Sequence, residues 1–368
     1  MLTEAVQAEA ARRTYVTLDG LRGVAALAVA IYHYENIARP FFFPSAYIAV
    51  DLFFVISGFV LANAYGRQLS TTMGAGEFMK RRIVRLYPLY LLGTFLTCLG
   101  VLGAMMTHLP ISWTGVSLTA TAIAALFFLP APWSAPLGGL LYPLNVPAWS
   151  LFWELVSNLA YALLAPRLSN RLLAIIIIAS GCTLAAHMGL TGRTGLGFTW
   201  DGAIGGLMRV AFGFFAGVAI FRLYAAGRLG RFRLPPLLVV TIPLVFFAIN
   251  AGTHTVLYCA ICTFFVMPVI VGLAVQVEPV KAARIYTTLG IASYPLYMIH
   301  YPLLRFILGA IQKVAHRNPA VFAPWAGITA VATLFFVALF VEARFDRPLR
   351  AWLTRPSRRE LPLRSATL

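Results

Sequence analysis

Charge is what this chain is short of. Asp, Glu, Lys and Arg make up 11% of its 368 residues and hydrophobic types 60%, whereas a water-soluble domain carries roughly 25% charged residues. There is too little polar surface to face water all round, so a freely soluble globule is excluded and the outer face must meet lipid. Acid is scarcer still, with 12 Asp and Glu against 29 Lys and Arg, a formal net charge of +17. In a soluble protein that excess would point to nucleic acid. Here the bases stand mainly between apolar runs, where they orient loops and meet anionic headgroups, and no nucleic-acid partner is expected.

Cysteine is sparse as well. Cys98, Cys182, Cys259 and Cys262 all lie in apolar stretches, which excludes a disulfide framework. Cys259 and Cys262 have the spacing of half a zinc site, but no second half accompanies them; the pair reads as packed or lipid-facing helix, and neither metal nor disulfide is expected. The opening MLTEAVQAEAARRTYVTLDG is polar, and the first apolar run follows Arg12 and Arg13. That run therefore reads as an anchor that stays in place, not a cleaved leader. With no visible repeat or appended soluble domain, the expected division is a cytoplasmic segment 1–13, a membrane domain 14–345 and a basic cytoplasmic tail 346–368.

What is present is apolar length. About 20 apolar residues carry a helix across the hydrocarbon core. Candidate crossings fall near 21–38, 47–65, 84–106, 150–166, 172–190, 203–222, 235–250, 255–276, 286–309 and 321–343. These give an all-α polytopic helix bundle of about ten transmembrane helices. If the N-terminus is cytoplasmic, the inward loops gather Arg67, Lys80, Arg81, Arg82, Arg167, Arg171, Arg222, Arg228, Arg231, Arg233, Lys281 and Arg284, together with the tail from Arg344 to Arg364. The outward loops keep Arg39, Arg193, Lys313 and Arg317. The positive-inside rule then places both termini in the cytoplasm. Residues 115–130 are apolar but short, and 131–148 are uncharged and rich in Pro and Gly. They read as a re-entrant or half-helical segment on the outer side, where irregular backbone is tolerated if it lines a cavity.

Ionisable groups inside membrane helices are costly and therefore informative. LDGLRGVAALAVAIYHYEN places Arg22 and His33 eleven residues apart. At about 100° per residue they return to within roughly 20° of one face, separated by about 16 Å along the axis. Asp19 can hold the Arg22 guanidinium or cap the helix. His33 reads as a general base, since imidazole takes a hydroxyl proton near neutral pH, or alternatively as a histidine satisfied by a neighbouring helix. In YIAVDLFFVISGFVLANAYG, Asp51 lies at a similar depth and is either the partner of that imidazole or a solvated interfacial acid. Ser57 and Gly58 read as a close-packing pair. FMKRRIVRLYPLY sets Arg82 and Arg85 on one face, suited to the phosphates of a nucleotide-bearing donor, while Lys80 and Arg81 read as anchors. In NVPAWSLFWELVSNLAY, Ser150 is a cavity residue or an N-cap, Trp149 an interfacial belt residue, and Glu154 faces the cavity without a local basic partner. GIASYPLYMIHYPLLRF aligns Ser293, Tyr297 and His300, and its prolines can free carbonyls toward a cavity.

In this order the segments resemble the bacterial acyltransferase type 3 membrane family, over about residues 14–345. The Arg22–His33 spacing is the most specific element, supported by FFVISGF, Arg82 with Arg85, WSLFWE and SYPLYMIHYP. The resemblance implies transfer of an acyl group, acetyl above all, from cytoplasmic acyl-CoA to a hydroxyl of a glycan or lipid-linked saccharide outside the bacterial inner membrane. It implies that Arg22 and His33 are the essential pair and that Arg82 and Arg85 serve acyl-CoA, the donor substrate, with no tightly bound cofactor. His33 then either deprotonates the acceptor or carries the acyl group itself. Some relatives carry an extracytoplasmic esterase-like domain; this chain shows none, so a separate partner protein can take that place. The rival reading is a proton-coupled transporter or flippase, against which the lack of an inverted hydropathy repeat counts.

Overall fold

Long apolar runs with few breakers fold as helix throughout, because a backbone in lipid must satisfy its hydrogen bonds within its own segment. In the computed structural model, which describes residues 15–355 except 109, 231 and 280, the chain is an all-α bundle. Its main helices are α1 (Val16–His33), α2 (Ala49–Thr71), α3 (Ala75–Met106), α4 (Gly115–Leu126), α5 (Ala148–Leu164) and α6 (Asn170–Thr191). They continue with α7 (Ala203–Ala225), α8 (Pro236–Ala248), α9 (Gly252–Ala274), α10 (Ala283–Ala315) and α11 (Trp325–Leu353). Among the described residues, seven helices are long and apolar enough to cross a membrane: α1, α2, α3, α6, α7, α9 and α11. The 33-residue α10 is more polar, and α5 and α8 are shorter.

Two parallel pairs make the centre. A Cβ on Gly23 would strike Leu289, one on Gly290 would strike Asp19, and Tyr34 Oη donates to the His300 carbonyl (3.0 Å), so α1 and α10 run side by side in the same direction. Along α2 and α7, Gly58 lies on the Phe214 carbonyl and Gly217 on that of Val55. Such backbone contact is how membrane helices gain packing where burial of apolar surface supplies no drive. A methyl at Gly58 has only main chain to displace. Gly58→Ala should therefore cost about 1–3 kcal/mol, the usual range for overpacking. It should appear as a lowered thermal midpoint in detergent; an unchanged midpoint would mean that α2 and α7 are not in this register.

Helix directions gather the bases at one end of the bundle. Arg222, at the last turn of α7, donates to Asn170 at the first turn of α6 (2.8 Å), and Arg85 on α3 pairs with Asp346 on α11 (3.3 Å). Arg193 pairs with Asp201 at the opposite end. Arg12, Arg13, Arg231 and the tail beyond 355 lie outside the described residues. Helix α11 continues through residue 345 to Leu353, so the boundary expected there falls inside a helix.

The segment 115–148 is a half-helix with a return strap. Helix α4 has 12 residues, about 18 Å of rise. It stops beside the middle of α3, where Tyr90 Oη donates to the Ala125 carbonyl (3.0 Å) and Tyr87 Oη to that of Leu126. The chain then returns: Ala131 N donates to Leu141 O (2.7 Å), Leu141 N to Phe198 O (2.9 Å) and Trp200 Nε1 to Ala131 O (3.0 Å). These bonds satisfy irregular backbone inside the protein, which lipid could not do.

Candidate active site

Helices α1, α2, α3, α5 and α10 enclose a cavity of about 230 Å³ near the basic end. Arg22, Arg82, Arg85, Ser150, Glu154 and Tyr297 all line it, together with Ser57, Ser293 and Tyr294. Its remaining wall is apolar, including Val50, Phe53, Leu86 and Leu151. Six of the candidates expected from the sequence thus share one wall. Asp19 is not on that wall and does not cap α1; it stands 3.6 Å from Arg22, one turn away.

Glu154, without a local basic partner as expected, finds one on another helix. Arg82 reaches it from α3 (Nη2 to Oε1, 2.9 Å), and Ser57 Oγ donates to the same oxygen (2.6 Å). With its amide turned to suit both neighbours, Asn158 accepts from Arg82 Nε (3.1 Å) and donates to the Glu154 carbonyl (3.3 Å). Ser57, expected as a packing residue, is a member of this network, and Gly58 alone does the close packing. The partner of Glu154 was hidden because it comes from a helix seventy-two residues away.

The other two arginines are also paired. Arg85 lies over the Tyr294 ring (5.4 Å) and meets Asp346, whose second arginine is Arg350 (2.8 Å); Arg350 also donates to Glu342 (2.6 Å). Glu342 and Asp346 lie on a π-turn, Glu342–Asp346, in α11. Both are buried. The wider turn places two carboxylates one turn apart on the inward side, a device frequent at functional sites. So each arginine at the cavity, Arg22, Arg82 and Arg85, faces an acid. Arg22 and Arg85 have the longer contacts and about a third of their side chains exposed, against 15% for Arg82. They are the more available to an incoming anion.

Asp51 is not the partner of His33. Its carboxylate takes the fork of Arg209 on α7 (Nε to Oδ1 2.6 Å, Nη2 to Oδ2 2.8 Å) and the hydroxyl of Thr263 on α9 (3.1 Å), all buried. Arg209 is absent from the candidates drawn from the sequence, although a single arginine inside the apolar run GGLMRVAFGFF was signal enough to find it.

His33 ends α1 and is half-buried. Its Nδ1 bonds to the Val29 carbonyl (2.9 Å), and Tyr32, Tyr301 and His300 surround its ring. Neither His33 nor His300 is on the cavity wall; Tyr297 connects the two places. Its hydroxyl meets Ser150 Oγ (3.0 Å) on the cavity side, and its ring is 5.8 Å from that of His300, itself 5.0 Å from that of His33. Ser150 does not cap α5, since its hydroxyl donates to the Pro147 carbonyl (2.9 Å), and Trp149 is buried against Phe54, not set in an interfacial belt.

A polytopic membrane protein with an arginine-lined cavity at one end and a histidine pair beyond it is a candidate for group transfer along its own axis. The chain belongs to the acyltransferase type 3 family: the family model described as "Acyltransferase domain" matches residues 15–342. That membership makes it an acyltransferase and decides against the transporter. It is 41% identical over 182 residues to "Protein 2 in picA locus" of Rhizobium radiobacter, covering 46% of this chain and 92% of that protein. It is 29% identical over 303 residues to "Exopolysaccharide production protein ExoZ" of Rhizobium meliloti (strain 1021), covering 79% of this chain and 83% of that one. No solved structure matches it.

Proposed function

We propose that this protein, set in a bacterial cytoplasmic membrane with both termini inside, moves an acyl group, acetyl foremost, from cytoplasmic acyl-CoA to a hydroxyl of a saccharide outside or of its lipid-linked precursor. The observation that carries the reading is the convergence of Arg22, Arg82 and Arg85 on one cavity whose far wall, at Tyr297, adjoins the imidazoles of His33 and His300. The likeness to a protein named for exopolysaccharide production supports a saccharide acceptor. The excess of bases at the arginine end supports its cytoplasmic placement.

In this reading the donor phosphates take donors from Arg22 and Arg85, which keep unused N–H groups beside their acids. Arg82 holds Glu154 and Ser57 in place along the wall. The thioester then extends past Ser150 and Tyr297 toward His33. Nδ1 of His33 carries its hydrogen toward the Val29 carbonyl, which leaves Nε2 as the lone pair that takes the acceptor proton.

Binding of acetyl-CoA to the purified protein tests the donor half. Arg85→Ala removes a forked cation from the wall and should weaken binding about 10- to 100-fold, the effect of one charged hydrogen bond. Lys80→Ala removes an exposed ammonium and should leave affinity within about twofold. Equal effects of the two variants would reduce the arginines to membrane anchors.

A further inference from the structure

The segment FFVISGF, residues 53–59, directs most of its side chains to neighbouring helices. Phe54 packs edge-on against Trp149, Ser57 donates to Glu154, Gly58 lies on the Phe214 carbonyl and Phe59 packs against Phe221. Phe53 has a different setting. Phe53, Ser57 and Val60 recur at steps of four and three, the spacing of one helix face, and are half-buried, while Leu52, Val55 and Phe59 are fully buried. All three line the arginine cavity, so their exposure is to its interior. Helix α2 ends at Thr71 near the bases Arg67, Lys80 and Arg81. Phe53 therefore stands one turn, about 6 Å, farther from the basic end than Ser57.

Ser57 marks a change in the cavity wall. On its basic side stand the arginines and Glu154; beyond it the lining is Val50, Phe53 and Leu151, with the hydroxyls of Ser150 and Tyr297. Ser150 donates to the Pro147 carbonyl (2.9 Å) and lies 3.0 Å from the Tyr297 hydroxyl, so both hydroxyls are satisfied within the wall. This inner layer offers hydrocarbon and no charge. Phe53 closes it, its ring set edge to face on that of Tyr297 with centroids 5.6 Å apart and planes at 74°, a preferred aromatic geometry. Leu52 and Val55 beside it are fully buried, and a close-packed wall does not yield without losing contacts. The whole cavity holds about 230 Å³, less than the roughly 300–1,000 Å³ of a pocket for a drug-sized ligand. An arm reaching in from the arginines leaves little room at the closed end.

We infer that Phe53 is the specificity-determining residue for the acyl group: its ring ends the apolar layer and limits the chain to the size of acetyl. The inference rests on the reading of this cavity as the acyl-CoA site. A thioester carbon bears sulfur, oxygen and the acyl chain. With the sulfur toward the arginines and the carbon beside Tyr297, the chain lies on the ring that packs against Tyr297, which is Phe53. A methyl group fits against that ring, whereas a longer chain has to displace it.

The test measures binding of CoA, acetyl-CoA, butyryl-CoA and hexanoyl-CoA to the full-length purified protein in detergent, each acyl form referred to CoA on the same protein. Wild type should bind hexanoyl-CoA about 10- to 200-fold more weakly than acetyl-CoA, the discrimination a filled apolar pocket makes against added methylene. Phe53→Ala gives the volume of the ring to the chain and should bring the two to within about threefold of each other, with butyryl-CoA gaining as well. Phe53→Leu removes less packing, should fall between the two proteins, and serves where the alanine variant does not insert. A wild type that binds hexanoyl-CoA as tightly as acetyl-CoA overturns the inference. So does a Phe53→Ala or Phe53→Leu protein that keeps the wild-type ratio, or one that loses CoA together with every acyl form, since Phe53 is then a structural residue. A wild type that binds neither CoA nor acetyl-CoA sinks the acyl-CoA reading of the cavity first, and the role of Phe53 with it.

Discussion

His33→Gln is expected to stop acyl transfer while leaving the protein inserted and folded. The imidazole ends α1, is half-buried, and makes its ring hydrogen bond to the Val29 carbonyl of its own last turn. Its contacts to α10 are ring packing against His300 and Tyr301, with no hydrogen bond or ion pair between the helices, so the change in stability should be small. Glutamine retains hydrogen-bonding capacity and cannot take a proton. Losing a general base costs about 10² to 10⁴ in rate, and His33→Ala should be at least as slow. Turnover is read as thiol release from acetyl-CoA, and folding as a single symmetric peak on size exclusion in detergent. Normal turnover by the glutamine variant would remove His33 from the chemistry and leave His300 as the imidazole to examine.

The second large effect is on stability. Asp51 and Arg209 form a forked, buried ion pair that ties α2 to α7, with Thr263 of α9 on the same carboxylate. Deleting either partner strands the other charge in a low-dielectric interior, which costs about 3–5 kcal/mol. Asp51→Ala and Arg209→Ala should each lower the thermal midpoint strongly, and acyl transfer should fall only in proportion to the folded protein recovered. Replacing both at once, Asp51→Leu with Arg209→Met, should regain most of the loss, because an apolar pair of similar volume needs no compensation. An Asp51→Ala protein of wild-type stability and no activity would return this acid to the reacting centre.

The two predictions separate groups that a linear reading sets together. Asp51 and His33 look alike in the sequence, as polar residues at matching depth on consecutive helices. The fold turns one toward α7 and the other toward α10. Depth comes from counting residues at a fixed rise, whereas the direction of a side chain about its helix has meaning only relative to the helix it meets. Glu154 carries the same lesson. Its apolar surroundings mark it as a cavity residue, which it is, but Arg82 as its partner required knowing that α3 and α5 are neighbours.

By itself the sequence determined the properties that composition and period dictate. A scarcity of charge decided that the chain lies in lipid, and runs of about 20 apolar residues decided that it does so as helices. The short stretch before residue 131 already favoured a re-entrant or half-helical segment, and the eleven-residue step from Arg22 to His33 already placed both on one face. Only the tertiary structure decided which charges on different helices neutralise each other, as Arg85 with Asp346, Arg209 with Asp51 and Arg82 with Glu154 do. In the membrane that choice is made by close backbone packing, at Gly58 on Phe214 and Gly23 on Leu289, and glycine spacing along one helix does not name its partner.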